Sequence, residues 1–225
     1  MIRYALQHRC FLLMASLFAT LAIAPWLDNV GARAVIAALT IGSFASAVHA
    51  VGGGRRHAVV TLALGIATLF LGTVVQITGS PRWAVPALSF FIVSGGFTLF
   101  RMLVYVVRPG AVTVNKIYAA ISIYLLAGFT WGGVYALTEL LRPASFEWTH
   151  TGLQHPKTLL QSFVYLSFST LASLGYGDIT PVTPQARSLA LLEVLFGTFY
   201  LVVIIARLVS AFGIDAPGDN RRESP

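Results

Sequence analysis

Acidic residues are scarce in this chain of 225: eight Asp and Glu stand against 15 Lys and Arg, and charged residues of every kind make up 10%. Cysteine is scarcer still, with one residue. That single Cys10 excludes an intrachain disulfide and leaves too few thiols for a structural zinc site. It reads as a small lipid- or helix-facing residue. The apolar runs carry no HExxH, no paired acids and no Ser/His/Asp set, only Glu193 and a scattered His49, so the expected function is not enzymatic. His49 reads as a helix-packing or interface histidine. Gly52-Gly53-Gly54-Arg55-Arg56-His57 lacks the GxGxxG spacing and the preceding strand of a nucleotide loop, and reads as a flexible cytoplasmic turn.

Apolar residues are what the chain has in excess. They make up 56% of it, mean hydropathy is +0.78, and the balance is that of an integral membrane protein. The net charge of +7 sits in short caps between apolar runs, where it acts as a topology signal and not as a nucleic-acid patch. Six runs are long enough to cross about 30 Å of hydrocarbon: Cys10–Leu27, Ala34–Val51, Ala58–Thr78, Trp83–Val107, Ile117–Leu141 and Ala186–Phe212. Ala22-Ile23-Ala24 resembles a signal-peptidase site, but Pro25 follows it and the apolar core is long, so a retained first helix is expected. Within the fifth run, Gly128 and Gly132 form a GxxxG, which lets two helix backbones approach closely or reflects the abundance of glycine in membrane helices. Thr158–Ala172 is apolar yet too short to span, and has the length of a re-entrant helix. Six spans put both termini on one side. Arg3, Arg9, Arg55, Arg56, Arg108, Lys116, Arg207, Arg221 and Arg222 share that side, which predicts that both termini are cytoplasmic and the re-entrant segment external.

The re-entrant segment ends in Ser173-Leu174-Gly175-Tyr176-Gly177-Asp178. Two glycines flanking a tyrosine allow alternate residues to take φ values that a Cβ penalises, so successive carbonyls can face one way and replace the water around a bare cation. Such backbone must be enclosed by protein or face water. One copy per chain cannot ring an ion, and GYG occurs once, so several subunits in closed cyclic symmetry are implied.

This run resembles the selectivity filter of the potassium channel family, with Ser173 where the family has Thr, Leu174 where it has Val, and GYGD matching letter for letter. The resemblance covers about Leu160–Ala211. It implies an all-α membrane protein of six transmembrane helices, with a re-entrant pore helix and filter between the fifth and sixth, and a tetrameric pore. It implies further that the carbonyls of Ser173, Leu174, Gly175 and Tyr176, followed by Gly177, hold K⁺ as the permeant ion, with the Ser173 hydroxyl closing the innermost site. No cofactor is expected. Asp178 would ring the outer mouth or brace the filter from behind. Tyr165 stands where relatives have a tryptophan and can reach the filter. Glu193, an acid in the interior of a span, is expected behind the filter, paired with Ser169 or Thr170 as a brace, with a proton-sensing role as the second reading. Gly197, 19 residues beyond Asp178, stands where the family has a hinge glycine, with a packing glycine as the alternative; Thr198, Leu201 and Ile205 then share a stripe toward the cavity.

The first four spans share the plan of voltage-gated relatives without their charges. Trp83–Val107 has Arg101 alone, and residues 1–110 hold the single acid Asp28. A conventional voltage sensor is therefore not expected. The domains read as a four-helix unit over 1–110, a pore domain over 111–213, and a short tail over 214–225 too small for a cytoplasmic ligand module. The function expected is a homotetrameric K⁺-selective channel of the cell membrane, in contact with lipid and not classically voltage-gated. The alternatives are a weakly selective cation channel, or a polytopic scaffold or enzyme with an incidental re-entrant loop.

Overall fold

A computed structural model describes residues 9–23, 55–109, 113–149 and 159–214. The second expected span, the Gly52–Gly54 connection, residues 150–158 of the external loop and the tail beyond Ile214 lie outside the described residues. The described chain is mostly helical. Its elements are α1 (Arg9–Ile23), α2 (Arg55–Thr78), α3 (Pro81–Val107), α4 (Val114–Leu141), β1 (Phe146–Trp148), α5 (Leu159–Leu171), β2 (Ile179–Pro181) and α6 (Pro184–Ile214). Among the described residues four stretches are long and apolar enough to cross a membrane: Val59–Thr78, Arg82–Val107, Val114–Leu141 and Pro184–Ile204.

The boundaries follow local chemistry. Ser80 is extended (φ −85°, ψ 123°) and Pro81 opens α3, where a missing N–H costs nothing because the first turn has no acceptor for it. At the other end of the helix pair, α4 begins after extended Thr113 (φ −95°, ψ 158°). From Ile117 its residues are small or apolar with few exceptions as far as Leu137.

α4 is the hub. α1, α3, α5 and α6 all pack against it, and α2 packs on α3. One buried cluster joins Leu13 and Leu17 of α1 with Met102 of α3, Ala119 and Ile123 of α4, and Tyr200 of α6. That cluster runs across the position-110 boundary drawn from the sequence, so α1 and α3 lie directly on α4. A second cluster, with Tyr135, Phe146, Phe163 and Ile179, fills the end of the molecule near the two short strands.

Small residues bring the helices into contact. A Cβ at Gly132 would fall 2.7 Å from Val164 Cγ2 and 2.8 Å from Val164 Cα, and one at Gly128 would fall 2.5 Å from the Phe168 ring. The GxxxG of α4 is thus the groove that receives α5, which selects the helix-approach reading over the abundance of glycine.

β1 and β2 pair antiparallel, with Phe146 opposite Pro181, Glu147 opposite Thr180 and Trp148 opposite Ile179. The chain leaves this ladder, descends as α5, returns as the Ser173–Asp178 run and rejoins it. The carboxylate of Glu139, near the end of α4, accepts the backbone N–H groups of Ala144 (3.0 Å), Ser145 (2.9 Å) and Phe146 (3.2 Å). The Ser145 carbonyl in turn accepts Val182 N–H at 2.9 Å, so the segments before and after the re-entrant loop are tied together.

Candidate functional site: the Ser173–Asp178 run

The run hangs from the end of α5. Ala172, Ser173 and Leu174 donate their N–H groups to the carbonyls of Phe168 (3.0 Å), Thr170 (3.0 Å) and Ser169 (2.8 Å), and helical hydrogen bonding then stops. Beyond that point every second residue has a positive φ: Ser173 at 56°, Gly175 at 60° and Gly177 at 76°. This is the alternation that lets successive carbonyls face one way, and at Ser173 it is held by a residue with a Cβ, at a cost of about 1–2 kcal/mol. Nothing lies within 4 Å of where a Cβ would stand at Gly175 or Gly177. The glycines are there for their φ values and not for lack of room.

In the single chain this backbone is bare. Leu174 is 57% exposed and Tyr176 65%, and Ser173, Gly175 and Gly177 are exposed with them. The far end is anchored: Thr149 donates its N–H to the Asp178 carbonyl (3.0 Å) and its hydroxyl to the Gly177 carbonyl (3.4 Å). Asp178 is half-buried and its Oδ1 accepts the Ile179 N–H at 3.1 Å. Tyr165 of α5 stacks on Tyr176, with centroids 6.1 Å apart and planes 7° from parallel, and its hydroxyl is directed at the Asp178 carboxylate.

Behind the run, Glu193 of α6 is fully buried, at 0% exposure. Its partners differ from those expected. The hydroxyls of Ser167 and Tyr135 donate to its two carboxylate oxygens, while Thr170 donates to the Leu166 carbonyl of its own helix at 2.8 Å. The cause is helical phase. At about 100° per residue, Ser169 lies about 200° round α5 from Ser167, so both cannot face α6. Buried Ser169 uses its carbonyl to hold Leu174 instead.

Gly197 also faces α5. A Cβ there would lie 3.0 Å from Leu171 Cδ2 and 3.1 Å from the Leu171 carbonyl oxygen. Thr198 and Leu201 are exposed in the single chain. Ile205 lies in α6, with its side chain outside the described residues. The residues that sequence reasoning passed over are Tyr135, Ser167, Glu139 and Thr149. A hydroxyl in an apolar run is too common a feature to mark the first two. Glu139, near the end of its apolar run, carries no motif that marks it.

The long apolar helices are those of an integral membrane protein. Comparison with known proteins agrees: residues 123–213, which run from α4 to α6, match the family described as ion channel. The chain is 34% identical over 68 residues to the two pore potassium channel c of Oryza sativa subsp. japonica, an overlap of 30% of this chain and 14% of that protein. It is 29% identical over 98 residues to protein LctB of Bacillus caldotenax, covering 43% of this chain and 72% of that one. To LctB of Geobacillus stearothermophilus it is 44% identical over 52 residues, covering 23% and 38%. No solved structure matches. The chain therefore resembles ion channels over residues 123–213, and a potassium channel is among the proteins it is similar to.

Proposed function

We propose that the chain forms a homotetrameric channel that passes K⁺ down its gradient through the carbonyls of Ser173, Leu174, Gly175 and Tyr176, with Gly177 completing the run. The observation that carries this reading is the positive φ at residues 173, 175 and 177 in backbone left exposed by a single chain. Polar backbone at membrane depth must be enclosed by protein or line water, and other copies arranged around an axis satisfy that need. α6 supports the same arrangement. Leu191, Leu195, Phe199 and Val202 are 50–66% exposed along it, an apolar surface available to neighbouring subunits and lipid.

In this reading six spans cross the cell membrane with both termini cytoplasmic, the outer mouth is external, and Asp178 of each copy lies at its rim. Tyr165, Ser169, Thr170 and Glu193 support the filter, Thr198, Leu201 and Ile205 face the cavity, and Gly197 is where α6 bends. Residues 1–110 modulate or pack, residues 111–213 conduct, and the tail is cytoplasmic. K⁺ is the permeant ion and no cofactor takes part. Because the chain spans 14% of the potassium channel that it matches, selectivity is argued from this chain's own filter. A weakly selective cation channel is the second reading, favoured by the serine at position 173, whose missing methyl loosens the innermost site.

The test is the bi-ionic reversal potential of the purified protein in a planar bilayer, with K⁺ on one side and Na⁺ on the other. A reversal displaced strongly toward K⁺, with block by Ba²⁺, is expected. A reversal near zero with robust current selects the weakly selective channel. No current at all, from protein inserted in the bilayer, removes the channel reading.

A further inference from the structure

The carboxylate of Glu193 contributes nothing to the carbonyl column, yet it is withdrawn completely from solvent. Among the described residues no cation stands against it; hydroxyls of two different helices, Tyr135 of α4 and Ser167 of α5, hold its two oxygens. An intramembrane carboxylate is costly unless hydrogen-bonded, and leucine would fill the same space without that cost. The polar group therefore supplies something packing alone does not: direction.

The contacts fall in register. Glu193 meets Ser167, and one turn further along both helices Gly197 meets Leu171. Leu171 is the last residue of α5, so these two contacts fix the turn from which the filter hangs. The second arm reaches the filter's other end, because the Tyr135 ring packs edge-on against Phe146 at 5.4 Å between centroids. Phe146 is paired with Pro181, just beyond the filter.

We propose that Glu193 is a positioning residue for the filter: through Ser167 and Tyr135 it locks the pore helix against α6 and α4 together, and so sets how long Ser173–Gly177 stays in its conducting form. This rests on the channel reading above. The full chain is reconstituted in planar bilayers, and the decay of K⁺ current at constant voltage is followed at low and high external K⁺. Ser167→Ala and Tyr135→Phe each remove one buried hydrogen bond, and each is expected to speed the decay by about tenfold. Raised K⁺ should slow that decay again, because an ion in the column stabilises it by mass action. A general loss of folding has no such dependence. Glu193→Leu should match the larger of the two effects, with Ser167→Ala adding nothing on top of it. Glu193→Gln, which keeps a partner for each hydroxyl, should restore most of the wild-type lifetime.

Wild-type decay in both hydroxyl variants overturns the proposal, as does accelerated decay that K⁺ leaves unchanged. If Glu193→Leu fails to assemble, the two hydroxyl variants, each short of one oxygen, still decide. Absence of current from the wild type overturns the channel reading and this inference with it.

Discussion

The ring of Tyr165 lies flat along that of Tyr176, 7° from parallel with centroids 6.1 Å apart. One residue belongs to the helix that precedes the Ser173–Asp178 run and the other to the run itself. The stack therefore holds the middle of the carbonyl run from the side, where Ser173 is held by the helix end and Asp178 by Thr149.

Replacing Tyr165 by alanine removes that lateral support, worth about 0.5–1.5 kcal/mol beyond the buried area. Reduced K⁺ current at unchanged protein level is the expected outcome. Tyr165→Phe keeps the stack and loses only the contact with Asp178, so it should retain most of the current. Equal loss in both variants would assign the effect to the hydroxyl instead.

Gly132→Ala forces a methyl to within 2.8 Å of the Val164 backbone. Neither helix can yield cheaply, and a loss of about 1–3 kcal/mol is expected, read as a lower melting temperature in detergent. Gly72→Ala is the control, since nothing lies within 4 Å of that position, and it should be neutral or slightly stabilising.

Glu139→Ala leaves the N–H groups of residues 144, 145 and 146 without their common acceptor. Unsatisfied donors cost about 1–3 kcal/mol where water cannot replace the acceptor. Proteolysis near β1 should quicken as the ladder opens, and Glu139→Gln, which offers one acceptor oxygen in place of two, should fall between the wild type and alanine. An unchanged proteolysis rate in the alanine variant would show that the ladder holds without Glu139.

Depolarisation alone should not open the pore steeply. α3 carries Arg101 and, near its first turn, Arg82, and charge movement worth about 2.3 kcal/mol per elementary charge per 100 mV needs several such residues crossing the field. A gating-charge measurement of several charges per subunit would contradict this.

The helices were legible because hydropathy and turn residues report on one segment at a time. Trp83–Val107 and Ile117–Leu141 fall within helices that begin two and three residues earlier. The backbone of the Ser173–Asp178 run was legible for the same local reason: glycines at 175 and 177 announce their φ values, and both are positive. Ser173 gave no such signal, since a serine does not advertise a left-handed backbone. The partners of Glu193 were not legible either. Tyr135 is 58 positions away in sequence, and its pairing with Glu193 depends on how α4 is rotated against α6. That rotation is fixed by the packing of Gly128 and Gly132 on α5, a relationship among three helices that no single-segment pattern contains.

The ladder between β1 and β2 also imposes an order on synthesis. Phe146 waits for Pro181, which at typical elongation rates leaves the ribosome a few seconds later. The groove at Gly128 and Gly132 is filled by Val164 and Phe168, residues made after it, so a fit written into α4 is completed only by chain that follows.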